Sequence, residues 1–130
     1  MRFAVNPSDG MPIYRQIMQQ VIDAIAGGAL APGDQLPSHR ELAQALVVAP
    51  LTIKKAYDEL ERGGYIRMQR GQGSFVAERT TMSPEEKLER LTPLVRRLVH
   101  EASVLGVDSR ALRGLLTEQM EALKRKQQED

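Results

Sequence analysis

Four cationic side chains in the first half of this sequence are candidates for chemistry. Lys54 and Lys55 follow Thr52 within one short segment, while Arg40 and Arg70 each lie beside small or turn-forming residues. Arginine and lysine donate hydrogen bonds to phosphate oxygens and to the O6 and N7 atoms of guanine. The alternative for each is an ordinary solvated surface cation. These residue types therefore indicate binding of a polyanion rather than bond-making chemistry.

No residue pattern in the chain indicates catalysis or a metal site. Ser, His and Asp occur, but none of them lies in a nucleophile motif. His39 and His100 are the two histidines, and no spacing supplies acidic partners with which either could bind a metal. The absence of cysteine excludes disulfides and thiolate ligands. We therefore expect no enzyme activity, no metal and no cofactor.

The composition is that of a soluble protein, and the length fits either one ordinary domain or one small domain with an appendage. Of the 130 residues, 42% are hydrophobic, and neither a signal peptide nor an apolar run long enough to span a membrane occurs. We expect a cytoplasmic protein without membrane contact. The net charge is +1, and residues 1–78 carry eight basic and eight acidic residues. Binding of a polyanion would therefore depend on where the charges lie.

Periodic apolar residues predict three helices that would position these cations. The first spans Pro12–Ala26, and the second opens at Ser38, which forms an S-x-x-E capping box with Glu41. The third begins at Pro50 and runs to about Arg62, after a short turn at Val47–Ala49. Two short helices at this spacing predict a helix-turn-helix. Their predicted inner faces consist of Leu42, Ala43, Leu46, Ile53, Ala56, Tyr57 and Leu60.

A β-hairpin is predicted directly after the third helix. Tyr65–Met68 and Ser74–Val76 are typical of two short strands, and Gln69–Gly73 forms a polar, glycine-rich connection between them. Gln35–Leu36 is expected to form a further short strand. A hairpin at this position is the wing of a winged helix, although a glycine-rich hairpin needs no ligand to form. The tip residues of this wing are Arg70, Gly71 and Gln72.

Two leucine-rich helices are predicted after a division near Glu78–Met82. Ser83 and Glu86 form a second capping box, and Gly106 ends the first of the two helices. Pro93 is expected to kink or split that helix. Apolar residues alternate steps of three and four along it, as in a heptad seam. The residues of this seam and of the stripe on the last helix, called the seam residues below, are Leu88, Leu91, Val95, Leu98, Ala102, Leu105, Leu112, Leu115, Leu116, Met120 and Leu123.

The seam residues form either a core between the two helices or an interface with a second copy of the chain. Two helices alone make a thin core, and the preceding domain is complete without them. We therefore interpret residues 79–130 as a helical arm that forms a homodimer. Residues 1–78 are interpreted as a winged helix-turn-helix domain, so the predicted fold class is mainly α with a small β-wing.

The stretch Leu36–Glu78 resembles the DNA-binding domain of the GntR family of bacterial repressors. The resemblance lies in five features that occur in order: L-P-S-x-R-E-L-A, an apolar turn, T-x-K-K-A-Y, L-E-x-x-G-Y-I and R-G-x-G-S-F-V. With the first helix it covers residues 12–78. The short helical remainder is similar to that of the YtrA-type branch, whose tails serve mainly to dimerise.

This resemblance implies a regulator of transcription that binds double-stranded operator DNA. It implies a homodimeric repressor on an inverted-repeat operator, and it leaves room for a small-molecule effector that no polar cluster identifies. The DNA-binding residues expected from the spacing and the resemblance together are Ser38, Arg40, Pro50, Thr52, Lys54, Lys55, Arg70, Gly71 and Gln72.

The chain departs from the family pattern at Pro50 and Leu51, where many relatives carry more polar residues. Fewer hydrogen bonds to base edges are then available, which leaves either contacts with methyl groups or lower specificity. A winged-helix module that binds protein instead of DNA is the alternative function, and the near-neutral charge is its support. A salt titration would separate the two functions, because DNA binding weakens steeply with salt.

Overall fold

The computed structural model describes residues 2–78 and 82–129. The chain divides into two units, residues 1–80 and 81–129. The first contains three helices and a two-stranded antiparallel sheet, and the second contains two long helices, which confirms the predicted fold class. The elements are α1 (Ile13–Ala26), α2 (His39–Leu46), α3 (Pro50–Arg62), β1 (Ile66–Gln69), β2 (Gly73–Val76), α4 (Pro84–Val104) and α5 (Ser109–Glu129).

The core of the first unit lies between α1 and α3. Ile17 and Val21 of α1 are fully buried, as are Ile53, Tyr57 and Leu60 of α3. Steps of three and four residues keep these positions on one side of each helix, which is why the apolar pattern predicted the inner faces correctly. Packing of these faces fixes the orientation of α3, whose opposite face is exposed.

Helix α2 begins at the predicted capping box and ends in a tight turn. The Glu41 backbone N–H donates to Ser38 Oγ at 3.1 Å, and the Ser38 N–H donates to the Glu41 carboxylate at 3.3 Å. The three-residue turn Val47–Ala49 then leads to Pro50, the first residue of α3. Val47 makes the reversal with a left-handed backbone, φ 55° and ψ 53°. The predicted helix-turn-helix is therefore present.

Strands β1 and β2 form the predicted wing. Ile66 is opposite Val76, and Gln69 is opposite Gly73, in an antiparallel ladder. The ladder begins one residue later than predicted, since Tyr65 precedes β1, and it includes Gln69 and Gly73 at the tip. The wing follows α3 directly, and the Met68 N–H of β1 donates to the Glu61 carboxylate at the end of that helix.

The prediction of a short strand at Gln35–Leu36 was wrong. Gln35 forms only an isolated bridge opposite Phe75. The Leu36 N–H donates to the Ser74 carbonyl at 2.8 Å, but Pro37 follows and has no N–H with which to extend the ladder. This segment therefore covers the edge of β2 for only a few residues.

The N-terminal segment lies along α1 and is held there by two glutamine side chains. The Ala4 N–H donates to Gln20 Oε1 at 3.0 Å, and Gln20 Nε2 donates back to the Ala4 carbonyl. Gln16 forms the same reciprocal pair with Asn6, at 2.8 and 2.9 Å. Each side-chain amide thus makes the pair of hydrogen bonds that the backbone of a neighbouring strand would make in a sheet. Phe3, from the same segment, packs against the core.

Helix α4 is continuous through Pro93. Of the two predicted effects of this proline, a kink or a split, the split was therefore wrong. Proline cannot donate the usual hydrogen bond to the carbonyl of Glu89, but Glu89 lies on an exposed turn where water can replace that donor. Just before the proline, Thr92 Oγ1 donates to the Leu88 carbonyl at 2.7 Å. The exposed position keeps the cost of the lost backbone bond low enough for the helix to continue.

The turn between α4 and α5 is closed by Gly106 and Asp108. Gly106 has a φ of 75°, and Asp108 Oδ1 accepts a hydrogen bond from the Ala111 N–H at 2.8 Å, which starts α5. Ala102 is buried beside this turn and Leu112 is half-buried. The other side chains of these two helices, as far as the structure describes them, are exposed, so the helices do not close a core between themselves.

Candidate nucleic-acid interface

A groove runs between the start of α2 and the tip of the wing. It brings together four predicted DNA-binding residues, Ser38, Arg40, Arg70 and Gly71. Arg40 and Arg70 are exposed, and within residues 2–78 and 82–129 no carboxylate forms an ion pair with either. The groove therefore carries two guanidinium groups that are available to an external anion. Its other lining residues are His39, Met68, Gln69, Gly73 and Ser74.

The start of α2 is fixed by a hydrogen bond from α3. Tyr57 Oη donates to the Pro37 carbonyl at 2.7 Å, and His39 contacts the same ring edge-on with centroids 4.9 Å apart. Burial raises the pKa of the Tyr57 hydroxyl, and the negative charge of Glu41 adds to this, so the group stays protonated and can donate. Because Arg40 lies in the first turn after Pro37, this bond positions Arg40 relative to α3.

The first turn of α3 is mostly apolar. Pro50 and Leu51 are exposed, and Thr52 is half-buried. Ala49, at the N-cap, provides no side-chain hydrogen bond to the helix start. Pro50 and Thr52 do not line the groove but lie at the N-terminal end of α3. Helix α3 would be the recognition helix of the predicted helix-turn-helix.

The two lysines of α3 have different neighbours. Lys54 Nζ lies 2.7 Å from Asp58 Oδ2, one helical turn further on. Lys55 Nζ lies 4.2 Å from the centre of the Tyr14 ring on α1, in a cation–π contact. Lys54 is thus on an exposed face of α3, whereas Lys55 is directed towards α1. The structure does not bring Lys55 together with the other predicted DNA-binding residues.

Glu59 and Glu61, the acidic residues that follow Asp58, also have partners within the domain. Glu59 Oε1 lies 3.0 Å from a guanidinium nitrogen of Arg62. Glu61 Oε2 accepts a hydrogen bond from the Met68 N–H at 2.7 Å, which ties the end of α3 to β1. Their negative charges are therefore partly balanced within the domain. This reduces their repulsion of an anionic partner at the other end of α3.

The wing tip consists of Arg70, Gly71 and Gln72, all exposed. Gly71 has a φ of 79°, which residues with a Cβ rarely adopt, and no atom lies within 4 Å of the place a Cβ would occupy. Gln35, which sequence reasoning missed, supports the tip by donating from Nε2 to the Gln72 carbonyl at 3.0 Å. A Cβ on Gly73 would lie 2.7 Å from that Nε2 atom, so glycine leaves room for the support.

The groove and the N-terminal part of α3 present hydrogen-bond donors and cations. Groups of this kind recognise phosphates and base edges. In the part of the chain that the structure describes, no group of three or more His, Asp or Glu side chains is placed to hold a metal ion. None of the described helices combines the length and apolarity that crossing a bilayer requires.

Comparison with known proteins identifies the family. The family model described as "Bacterial regulatory proteins, gntR family" matches residues 13–76. The HTH-type transcriptional repressor YtrA of Bacillus subtilis (strain 168) is 39% identical over 105 residues, which are 80% of this chain and 81% of the relative. The chain belongs to the GntR family.

Two solved structures are similar to this chain. A transcriptional antiterminator from Listeria monocytogenes EGD-e is 32% identical, with a TM-score of 0.81 over 95% of this chain and 92% of that one. AraR(DBD), solved in complex with operator ORX1, is 29% identical, with a TM-score of 0.53 over 57% of this chain and 94% of that one. The resemblance to the GntR family and its YtrA-type branch is confirmed. This GntR chain is a regulator of transcription with a winged-helix DNA-binding domain, and it is not an enzyme.

Proposed function

We propose that this GntR-family regulator is a homodimeric repressor that binds an inverted-repeat operator. Residues 1–78 bind DNA, and residues 79–130 hold two copies together. The observation that carries the proposal is the groove lined by both Arg40 and Arg70, neither of which forms an ion pair with a carboxylate within residues 2–78 and 82–129. The relative YtrA is named as a repressor, which supports the sign of regulation.

In the proposed complex, α3 enters the major groove of DNA and the wing follows the neighbouring backbone. Arg40 donates to a phosphate from the first turn of α2, beside the capped Ser38. Lys54, which is exposed, and Thr52, which is half-buried, donate to base edges from the N-terminal part of α3. Lys55 contributes its charge from the α1 side rather than a contact with a base.

The wing tip completes the proposed interface. Arg70 lies in or beside the minor groove, where the negative potential is concentrated, and Gln72 contacts the adjacent backbone. Gly71 has no side chain, so the tip can approach the DNA closely. The hydrogen bond from Gln35 keeps the tip in this position before DNA arrives, which lowers the ordering cost of binding.

Two copies associate through the exposed seam residues of α4 and α5. In the single chain the exposed fractions of three seam residues are 67% for Leu88, 51% for Leu91 and 41% for Leu98. An apolar groove between the helices, near Val95 and Leu116, is open to a partner side chain. A stripe of this length at heptad spacing is typical of helices that pack against a second copy.

Titration with a random-sequence DNA duplex over a range of salt concentrations tests DNA binding against the alternative protein-binding module. Four phosphate contacts, from Arg40 and Arg70 in each of two copies, predict that log K falls with log salt with a slope of about −3.6. An Arg40→Ala, Arg70→Ala double variant should lose most of this slope. Absence of duplex binding at low salt, or a slope near zero, would favour the protein-binding module.

A further inference from the structure

The turn of the helix-turn-helix and the start of α3 form an exposed apolar tip, defined here as Val47, Ala49, Pro50 and Leu51. Val47 and Leu51 are 91% and 77% exposed, and Ala49 and Pro50 are exposed as well. Val48, between them, packs against the core instead. The side chains of the apolar tip offer only methyl, methylene and methine groups to whatever approaches the N-terminal end of α3.

The apolar tip departs from ordinary folding preferences at two positions. Val47 is the one described residue other than glycine with a positive φ, and its branched Cβ makes a left-handed backbone especially unfavourable. Ala49 occupies the N-cap of α3 without a capping side chain, where Ser, Thr, Asp or Asn would stabilise the helix. Fold stability explains neither choice. Departures of this kind concentrate at functional sites, which indicates that the tip is shaped for contact with a ligand.

We propose that the apolar tip contacts the 5-methyl groups of thymine in the major groove. The inference rests on the proposed function, in which α3 enters that groove. Of the four bases, only thymine presents a methyl group there, and apolar side chains are its usual partners. Pro50 has no N–H, so the first position of α3 cannot donate a hydrogen bond to a base or phosphate.

The position of Lys54 extends this inference to the neighbouring base. Lys54 lies three residues after Leu51 and four after Pro50, so all three are neighbours on one face of α3. A lysine donates to O6 and N7 of guanine, while the apolar groups beside it exclude water from the methyl groups. The preferred half-site therefore places thymines next to a guanine.

Replacement of thymidine by deoxyuridine tests the inference, because it removes only the 5-methyl group. The full chain would first be used to select duplexes from a random library, and the selected duplex would be resynthesised with deoxyuridine at single positions. Each methyl group buried by the apolar tip should contribute about fourfold in affinity, so each replacement at a contacted position should weaken binding by that factor. Replacements outside the protected positions should have no effect.

Leu51→Ala assigns the effect to the apolar tip. This variant should lose most of the difference between the thymidine and deoxyuridine duplexes at the position that Leu51 contacts. Its fold should be intact because Leu51 is exposed. Val104→Ala, which truncates a residue of α4 that is also largely exposed, should keep the full difference. Circular dichroism and unfolding midpoints would confirm that both variants are folded.

Three outcomes would overturn the inference and leave the proposed function in place. These are equal affinity of the unaltered protein for both duplexes, a selected site without thymine under α3, and a Leu51→Ala variant that weakens both duplexes by the same factor. If no duplex is selected at all, the proposed function fails and the inference fails with it. The apolar tip would then be better explained as a surface for a protein partner.

Discussion

Arg40 and Lys54 present their positive charges differently, and this difference predicts different roles on DNA. Arg40 is exposed in the first turn of α2 and forms no ion pair within the described residues. Lys54 is held 2.7 Å from Asp58 on the exposed face of α3. We therefore expect Arg40, beside the wing, to contact the DNA backbone, and Lys54, on the proposed recognition helix, to contact base edges.

Single alanine substitutions should separate these roles. Lys54→Ala should cost about 1–3 kcal/mol per half-site and relax the preference at one base position. Arg40→Ala should weaken binding to all sequences alike and reduce the salt slope by about one per half-site. Binding to the selected duplex and to its single-base variants, at several salt concentrations, would measure both effects.

Arg62→Ala is the matched control for these substitutions, because it removes a cation at the opposite end of α3. Its only described partner is Glu59, and it should leave both affinity and salt slope nearly unchanged. If Lys54→Ala and Arg40→Ala behave like this control, the assignment of both residues is wrong.

Asp58 should restrain Lys54 in the free protein. Both side chains are partly exposed, so the pair contributes only about 0.3–0.5 kcal/mol. Asp58→Asn should release Lys54 and remove a charge that repels phosphate. For a dimer, which contains two such pairs, we expect affinity to rise roughly three- to fivefold at low salt and less at high salt. A fall in affinity would mean instead that Asp58 orients Lys54 towards its base.

The residues of the interface were partly predictable, and the limits have physical causes. The capping box at Ser38 follows from four consecutive residues, and the spacing of Lys54 and Asp58 is that of a helical ion pair. The hydrogen bonds from Tyr57 to Pro37 and from Gln35 to Gln72 join residues 20 and 37 positions apart. Such pairs depend on how the elements pack, so no local sequence pattern reveals them.

At the scale of elements, the left-handed backbone of Val47 should destabilise the turn before α3. Val47 holds a left-handed backbone that costs residues with a Cβ roughly 1–2 kcal/mol. Asparagine tolerates this conformation, and the 91% exposure of Val47 means that little packing would be lost. Val47→Asn should therefore raise the free energy of unfolding by about 1 kcal/mol. Urea unfolding at a fixed protein concentration would measure it.

Val104→Asn provides the comparison for this prediction. Val104 is 86% exposed, but it has an ordinary helical backbone in α4, so the same substitution should change stability very little. Equal effects of the two substitutions would show that the backbone of Val47 stores no strain.

The wing should act through its cationic tip rather than through its strands. Arg70 has no ion-pair partner within the described residues and lies on the same groove as Arg40. Arg70→Ala should weaken duplex binding and lower the salt slope, with little change in the unfolding midpoint because the side chain is exposed. Normal binding by Arg70→Ala across duplexes with several A·T-rich flanks would exclude the tip from the interface.

Most elements could be predicted from apolar periodicity, and the exceptions depended on solvent or on side-chain amides. Pro93 normally breaks a helix, yet α4 continues because the freed carbonyl is exposed to water. The segment held by Gln16 and Gln20 is too short for its apolar residues to identify it, and glutamine side chains rather than a neighbouring strand supply its hydrogen bonds. Periodicity describes how an element buries its side chains, and it reveals neither water that replaces a lost donor nor a side-chain amide that pairs with a distant backbone.

For the whole molecule, the near-neutral charge makes dimerisation central to the proposed binding of an operator. Residues 1–78 carry as many acidic as basic residues, so one winged helix gains little from long-range attraction to DNA. Two modules held together gain affinity because the second binding step becomes intramolecular, and the increase can reach about 10²–10⁴. The arm would also set the distance between recognition helices, which must be near one helical turn of DNA, about 34 Å.

The most direct test of this account combines sedimentation and duplex titration of Leu98→Asp with those of Val104→Asp. Leu98 belongs to the seam residues and is 41% exposed, so the acidic group should prevent association without disturbing a core. Val104→Asp adds the same charge outside the seam. We predict that Leu98→Asp sediments as a monomer and binds the selected inverted-repeat duplex about 10²–10⁴ times more weakly. Its binding of random duplex per chain should persist, and Val104→Asp should match the unaltered protein. A Leu98→Asp variant that remains dimeric, or that binds the selected duplex as tightly as the unaltered chain, would contradict the account.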